Sequence, residues 1–365
     1  MIYTNIAAMQ AAPIGGEADV LGYFAPGDGG GGRFWYDGTS TTTANDGTVF
    51  TSAVMGGRWR RIYSGPVLVD WFGGMASDAT TAILAASVFP HVVFSNRSYR
   101  FNGQFNILAG QLLDLNRADI YHTDNTKTMF SAVSVDDWCI NGSNAKIRGT
   151  RTDGTLTAEK GLYIESCNRY KVSDVQFEKF RNIGVHIGAG SQVTRLSDQG
   201  IFKGVSTNDS QCGLQVDAGT GAEYVEFIAH QAINNIIGAM VAAGNTKFTG
   251  GNLCENDIGV YLLGGHNNGH GIANGVNINH NGQDSIRAVG VTNGFSFDAC
   301  HIYGGAGTGQ IRISGGSTDI AFNGGVIDAP IVNDSGANRV MNAKLYSNYV
   351  VAGSVPGGWS SSNCF

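Results

Sequence analysis

The second half of the chain alternates apolar and polar positions in short stretches that return at a nearly regular interval. Most begin with a small residue and then place apolar residues on both sides of a variable one, as in GLYI and GVHI. They start at Gly161, Gly184, Gly213, Gly238, Gly259, Ser285 and Gln310, with spacings of 23, 29, 25, 21, 26 and 25 residues. This pattern predicts a short β-strand in every repeat.

A second series of strand-like stretches lies between the first. It comprises YKVSDVQF from Tyr170, EYVEFIAHQ from Glu223, TKFTGGNLCE from Thr246, IANGVNIN from Ile272, FSFDACHIY from Phe295 and IAFNGGVID from Ile320. Within it, Leu253, Ile278, Ile302 and Ile327 recur at near-constant spacing. Parallel strands need crossovers, and here the crossovers are themselves strands, so we predict an all-β fold, a parallel β-helix. Leucine-rich repeats and propeller blades fit this spacing less well.

Asparagine tends to precede the strands of the first series. The residues concerned are Asn182, Asn208, Asn234, Asn235, Asn256 and Asn281. Because Asn and Gly both tolerate turn conformations, together they predict a turn before each of these strands.

Upstream of the repeats, MASDATTAILAASVF at residues 75–89 predicts a helix with Asp78 as N-cap and an apolar face of Ala79, Ile83 and Ala86. Such a helix can cover the exposed apolar end of a β-helix. We therefore predict a small β module at 1–66, a linker strand and capping helix at 67–90, the β-helix at 91–332 and a short segment at 333–365.

A glycine-rich run, GYFAPGDGGGGRFW at residues 22–35, raises the question of a phosphate-binding loop. Such a loop opens a helix, whereas this run leads into the aromatic strand-like sequence RFWY. Large aromatic residues on both sides also argue against a flexible linker. We interpret the run as a tight turn between strands.

The composition of the chain indicates its fold class and excludes one class of binding partner. Glycine accounts for 54 of 365 residues and charged residues for only 14%, which suits an all-β chain with many turns. The net charge of −6 and the lack of a basic cluster argue against a nucleic-acid partner. The densest basic spot, Arg58, Arg60 and Arg61, is interpreted as a solvated strand edge.

The N-terminal sequence lacks the pattern of a signal peptide or a membrane span, so we expect cytosolic synthesis and no membrane insertion. The six cysteines form no CxxC pair, which predicts free thiols and no zinc site. No cofactor is expected.

Three segments resemble a known family. VLGYFAPGDGGGGRFWYDG, DGTVF and GRWRRIYSGPVLVDWFGG, followed by the predicted helix and coils, are similar to the N-terminal region of phage tailspikes and related pectate-lyase-like proteins. The most specific part is residues 22–74. Where the family usually reads FGA and then a DDT-like run, this chain has FGG and SDAT.

The resemblance implies a right-handed β-helix, a handedness that the crossover rule also favours. It implies a homotrimer on a virion tail, assembled in the host cytoplasm, whose N-terminal module contacts other tail or baseplate proteins. It further implies that one β-helix face binds a bacterial surface polysaccharide, capsule or O-antigen, and often cleaves it.

We expect cleavage by glycoside hydrolysis rather than by a lyase reaction. The alternative is a non-enzymatic adhesin or structural tail component, which the short sequence after the last predicted coil favours. A cellular lyase or isomerase of the same fold agrees less well with residues 22–74.

The variable positions of the first strand series predict an outward row along one face. Its members are Tyr163, His186, Gln215, Met240, Tyr261, Arg287 and Arg312. Tyrosine can stack on sugars, glutamine offers paired hydrogen-bonding groups, and arginine can bind the carboxylates of uronates or sialates. All except Met240 are candidate substrate-binding residues. The alternative is an ordinary polar face or a subunit interface.

Four carboxylates are candidate catalytic residues. Glu165 and Asp217 should share the outward face two coils apart, or ~9.6 Å, near the upper limit for an inverting glycosidase, with His186 between them. Asp174 and Asp198, 24 residues apart, would lie ~5 Å apart as in a retaining enzyme. Ser-Asp pairs are also common turn elements, which is the alternative for the second pair.

Two other chemistries are less favoured. His266, His270 and His280 lie in a glycine-rich turn and strand region with no evident third ligand, so we predict no metal. A lyase pairing of His186 with Arg287 would span four coils, ~19 Å, which is too far for direct cooperation.

Overall fold

The computed structural model describes residues 1–13, 15–190, 199–219, 222–265, 269–304, 309–333, 339–341, 344–345 and 360–362. Strands dominate these ranges, beside helices at Ile6–Gln10 and Thr80–Ala86 and a 3-10 helix at Val69–Phe72. None of the helices within these ranges is long and apolar enough to cross a membrane. The predicted parallel β-helix with a small N-terminal β module and a short capping helix is confirmed.

The N-terminal module is a five-stranded sheet with its own core. In spatial order its strands are Ile2–Tyr3, Glu17–Val20, Gly32–Asp37, Arg58–Arg61 and Val49–Thr51. Phe34, Phe50 and Trp59 are at most 1% exposed and pack with Met9 of the first helix. A separate core begins at Val67 and continues through the β-helix.

The glycine-rich run is a turn between two antiparallel strands of this sheet, as predicted. The Asp28 carboxylate accepts hydrogen bonds from the backbone amides of Tyr23, Phe24, Ala25 and Gly30. Arg61 donates to the carbonyls of Gly30, Gly31 and Gly47. The interpretation of Arg58, Arg60 and Arg61 as a solvated strand edge is wrong, because their strand is interior to the sheet. Arg61 is buried, and its guanidinium lies 4.5 Å from the Trp71 ring centroid.

The capping helix is shorter than predicted. It spans Thr80–Ala86, and Ala79 occupies the N-cap position. Asp78 precedes the cap, and its carboxylate accepts hydrogen bonds from the Thr80 amide and hydroxyl at 2.9 and 2.5 Å. The predicted apolar face is confirmed, since Ala79, Ile83 and Ala86 are fully buried in the core of the β-helix.

The β-helix consists of two parallel sheets. We call the ten-stranded one, counted over the described residues, the ladder sheet. Its strands are Phe105–Asn106, Thr128–Val133, Lys160–Glu165, Ile183–Gly188, Cys212–Val216, Ile237–Val241, Ile258–Leu263, Asp284–Val289, Gln310–Ser314 and Ile331–Asn333.

The other sheet, which we call the bent sheet, forms the rest of each coil. Its strands are Val67–Leu68, His91–Val93, Ser98–Phe101, Leu112–Asp114, Asp119–His122, Cys139–Arg148, Lys171–Glu178, Gly200–Lys203, Ser206–Asn208, Val225–Ile233, Thr246–Cys254, Gly271–Asn274, Asn277–Asn279, Phe295–Asp298, His301–Tyr303, Ile320–Asn323, Val326–Asp328, Arg339–Met341, Lys344–Leu345 and Ser360–Ser362.

The bent sheet turns a corner at a column of left-handed residues. These are Asp174, Gly204, Ala229, Gly250, Gly275, Ala299 and Gly324, with φ between 50° and 67°. A left-handed residue redirects the strand, and glycine adopts this conformation without strain. The column therefore explains why the second strand series reads as pairs of short strands.

Inward side chains stack from coil to coil. Leu253, Ile278, Ile302 and Ile327 are direct register partners, as their spacing predicts. The rings of Phe202, Phe227 and Phe248 also stack, with centroids 4.9 and 5.0 Å apart. These distances match the separation of neighbouring strands, so each coil buries its apolar face on the next.

The recurrent glycines do not form the turns that we predicted before the strands. Gly161, Gly184, Gly213, Gly238 and Gly259 lie within the ladder strands, and a Cβ on each would come within 2.4 to 2.8 Å of the neighbouring coil's carbonyl oxygen. Close approach of the backbone therefore requires glycine here. The preceding turns are held by buried asparagines instead, as Asn235 bonds to Asn256 and Asn256 to Asn281.

Candidate functional site

Outward side chains of the ladder sheet form one continuous row parallel to the β-helix axis. Strand register places its members opposite one another in the order Tyr163, His186, Gln215, Met240, Tyr261, Arg287 and Arg312. Neighbouring strands of a sheet lie ~4.8 Å apart, so the row spans roughly 29 Å. It is long enough to contact several units of a linear polymer.

Two carboxylates join the first three members of the row into a network. The Tyr163 hydroxyl donates to Glu165. On the next two coils, Asp217 receives hydrogen bonds from His186 Nε2 at 2.8 Å and from Gln215 Nε2 at 2.6 Å. The Tyr163 and His186 rings are in contact, with centroids 5.1 Å apart. The structure thus brings together five of the residues that the sequence singled out.

Gly188 lies between the two carboxylates. It is the register partner of Glu165, while the Asp217 amide donates to the carbonyl of the preceding residue, Ile187. A Cβ at Gly188 would lie 2.7 Å from the Tyr163 hydroxyl oxygen. Glycine therefore leaves the space that Tyr163 needs to reach Glu165.

Lys160 belongs to the same network but was missed in the sequence. Its ammonium lies 4.5 Å from the centroid of the Tyr163 ring. Burial lowers the pKa of this ammonium, and the negative charges of Asp217 and Glu165 oppose that shift. Lys160 starts the strand one residue before the repeating four-residue pattern, and an extension of the pattern by one residue would have found it.

Asp217 and Tyr163 have different protonation states, which their surroundings determine. Burial alone would raise the pKa of Asp217, but the hydrogen bonds from His186 and Gln215 lower it below its ordinary value, so this carboxylate stays ionised at neutral pH. Burial, and next the hydrogen bond to Glu165, raise the pKa of the Tyr163 phenol, which stays protonated. The site therefore holds a charged acceptor, Asp217, and a neutral donor, Tyr163, two coils apart.

The far end of the row is basic. Arg287 Nε donates to Asp284 Oδ2 at 2.5 Å, and Arg312 Nε lies 3.5 Å from Asp284 Oδ1. The Arg287 guanidinium also lies 5.7 Å from the centroid of the Tyr261 ring. Asp284 was not identified from the sequence, because it starts a strand at a position that the three preceding coils fill with Cys212, Ile237 and Ile258.

The second predicted carboxylate pair is not assembled in the described residues. Asp174 is exposed at the corner of the bent sheet, on another face from Glu165. Register places Ser173 opposite Lys203, so Gly204 occupies the position one coil along from Asp174. Asp198 lies outside the described residues.

Two of the three histidines considered for a metal contact different partners. His270 Nε2 lies 3.0 Å from Asn245 Oδ1, and the His280 ring contacts that of Tyr303. His266 lies outside the described residues. Across the part of the chain that the structure describes, no group of three or more His, Cys, Asp or Glu residues could hold a metal ion.

Comparison with known proteins confirms the resemblance to phage tailspikes. Residues 2–64 match the sequence profile of a family described as "Phage tail protein small four-stranded beta-sheet domain". No curated protein matches.

Solved structures share the fold of this chain over most of its length. The enzymatically active domain of tailspike protein 2 from bacteriophage CBA120 superimposes with a TM-score of 0.68 at 15% identity, covering 99% of this chain and 55% of that one. An Acinetobacter phage tailspike superimposes with a TM-score of 0.52 at 16% identity, covering 100% of this chain and 73% of that one. The mannuronan C-5 epimerase A-module of Azotobacter vinelandii superimposes with a TM-score of 0.56 at 13% identity, covering 81% of this chain and 99% of that one. This chain spans about half the length of the CBA120 protein.

Proposed function

We propose that this protein is a phage tailspike that binds a bacterial surface polysaccharide along the ladder sheet and cleaves it by glycoside hydrolysis. The observation that carries the proposal is the network of two carboxylates, a phenol and an imidazole at one end of a long polar row. The phage-tail profile at residues 2–64 supports a location on the virion tail.

In this mechanism Asp217 is the general base. Its low pKa keeps it ionised, and His186 and Gln215 hold it in place. It takes a proton from water as the water oxygen bonds to the anomeric carbon. Glu165, beside the neutral Tyr163 phenol, takes up a proton from solvent before each cut and donates it to the departing glycosidic oxygen. Asp217 then releases its proton to solvent, which restores both carboxylates. Each cut therefore adds one water.

The same geometry favours a second candidate, a glycan-binding adhesin without activity. Both oxygens of Asp217 already accept hydrogen bonds. His186 lies on the coil between the one that carries Glu165 and the one that carries Asp217. Their strand separation of ~9.6 Å is at the upper limit for an inverting pair. A polysaccharide that binds but stays whole would establish this alternative.

Digestion of surface polysaccharides from candidate hosts tests the proposal. Fragments would be sized by chromatography and weighed by mass spectrometry in ¹⁸O-labelled water. We expect one labelled oxygen per cut, and Asp217→Asn and Glu165→Gln should each lower turnover by about 10² to 10⁴. Asp174→Asn, an exposed carboxylate on the bent sheet, is the matched control and should retain full activity. Unsaturated fragments without added water would indicate a lyase instead.

We also propose that the spike is a homotrimer assembled in the host cytoplasm and attached to other tail or baseplate proteins through the N-terminal module. A trimer would use a heterologous three-fold interface.

A further inference from the structure

A buried carboxylate organises the basic end of the row. Asp284 is fully buried, and both of its oxygens face arginines of the ladder sheet. Arg287 is committed to this contact through two of its nitrogens and lies 3.4 Å from the Gln283 side-chain oxygen. Among the residues that the structure describes, Arg312 has only the longer contact at 3.5 Å, and its side chain is 44% exposed. Its remaining donors are thus available to a ligand.

This arrangement leaves an excess of positive charge on an acidic protein. Two guanidiniums share one carboxylate, which leaves one positive charge, whereas the whole chain carries −6. A planar guanidinium suits bidentate contact with a carboxylate. The adjacent Tyr261 ring offers an apolar face for a sugar.

The basic pair is in line with the carboxylate network. Arg287 lies three strands beyond Gln215 and Arg312 four, or roughly 14 and 19 Å along the axis. A polysaccharide that crosses Glu165 and Asp217 and follows the row therefore reaches both arginines.

We infer that Arg287 and Arg312 form a subsite for a carboxylate-bearing sugar, so that the polysaccharide bound by this protein is acidic. Asp284 is a positioning residue, since it fixes both arginines without facing solvent. The subsite rests on the proposed function, because it takes the ladder sheet as the glycan-binding face.

The test compares each host polysaccharide in two forms. One is native, and in the other carbodiimide activation and borohydride reduction have converted every carboxylate to an alcohol. Affinity is measured by calorimetry with the Asp217→Asn protein, or with the unmodified protein if no polysaccharide is cleaved. Because binding is the readout, failure of hydrolysis leaves the test intact. We expect the bound polysaccharide to contain uronate or sialate and to lose about 10- to 100-fold in affinity on reduction.

Variants then assign the effect to the subsite. Arg312→Ala should lower the affinity for the native polysaccharide by a similar factor and change the affinity for the reduced one little. The affinity of Arg312→Lys for the native polysaccharide should lie between those of the unsubstituted protein and Arg312→Ala. Arg100→Ala, an exposed arginine of the bent sheet, should change neither. A bound polysaccharide without carboxylates, equal affinity before and after reduction, or an equal loss for both forms in Arg312→Ala would overturn the inference.

Discussion

A single side chain inside the β-helix makes the fold sensitive to acid. His230 is 2% exposed and points inward beside the Phe227 ring, at a centroid distance of 5.6 Å. Burial lowers its pKa to about 4, although a hydrogen bond to the backbone carbonyl of Val205 opposes the shift. The imidazole is therefore neutral in the folded protein at pH 5, whereas in the unfolded chain, with a pKa near 6.5, it is largely protonated.

This difference predicts a loss of stability on acidification. Because the pKa of His230 is lower in the folded state than in the unfolded state, its contribution to stability is complete above about pH 6.5 and is lost as the pH falls towards 4. His230 alone should lower the free energy of unfolding by about 2 kcal/mol between pH 7 and 5. Urea denaturation at both pH values measures it. His230→Leu should show a smaller pH dependence, whatever its absolute stability, and an unchanged dependence would contradict the assignment.

At the scale of elements, buried asparagines bond one coil to the next, beside the stacked apolar core. Asn256 is the middle member of the asparagine series, since it accepts from the amide and side chain of Asn235 and donates to Ala232 and Asn281. Its removal leaves the Asn235 amide buried without that partner, and an unpaired buried donor is costly.

We expect Asn256→Ala to lower the free energy of unfolding by about 2 to 4 kcal/mol, because several buried hydrogen bonds are lost at once. Chemical denaturation followed by circular dichroism would measure the change. Asn277→Ala provides the control, as its side chain makes an exposed contact with Asn252 and should cost less than about 0.5 kcal/mol. Equal effects of the two substitutions would show that the buried series does not hold the coils.

At the scale of the whole molecule, the module and the β-helix are linked by polar contacts near the first coil. Arg97 donates to the Asp28 carbonyl at 2.9 Å and lies 3.3 Å from the buried Asp70 carboxylate. Asp70 also accepts from Ser95 and Tyr99. The turn formed by the glycine-rich run is thus attached to the β-helix as well as to its own sheet.

The proposed trimer is also testable at this scale. Static light scattering of the purified chain at micromolar concentration should give three times the chain mass, unchanged on dilution. A stable monomer under these conditions would count against the trimeric spike. If the chain is instead a monomer, polysaccharide binding measured on the same sample would show whether the row on the ladder sheet functions in one subunit.

The repeat by itself determined the architecture and the order of the outward row. Apolar positions that recur at coil spacing must face inward, so the variable positions between them face outward, and this places Tyr163, His186 and Gln215 in series. The contacts made by these side chains depended on tertiary structure, because residues 20 to 30 apart meet only through strand register. Gly188 and Asp284 acquire their roles from neighbouring coils, and Lys160 acquires its role from the ring and the carboxylates around it. Arg61 is buried because its guanidinium packs against the Trp71 ring and bonds to carbonyls of the glycine-rich turn. Local pattern encodes which way a side chain points, whereas packing between coils decides what it touches and which charge it keeps.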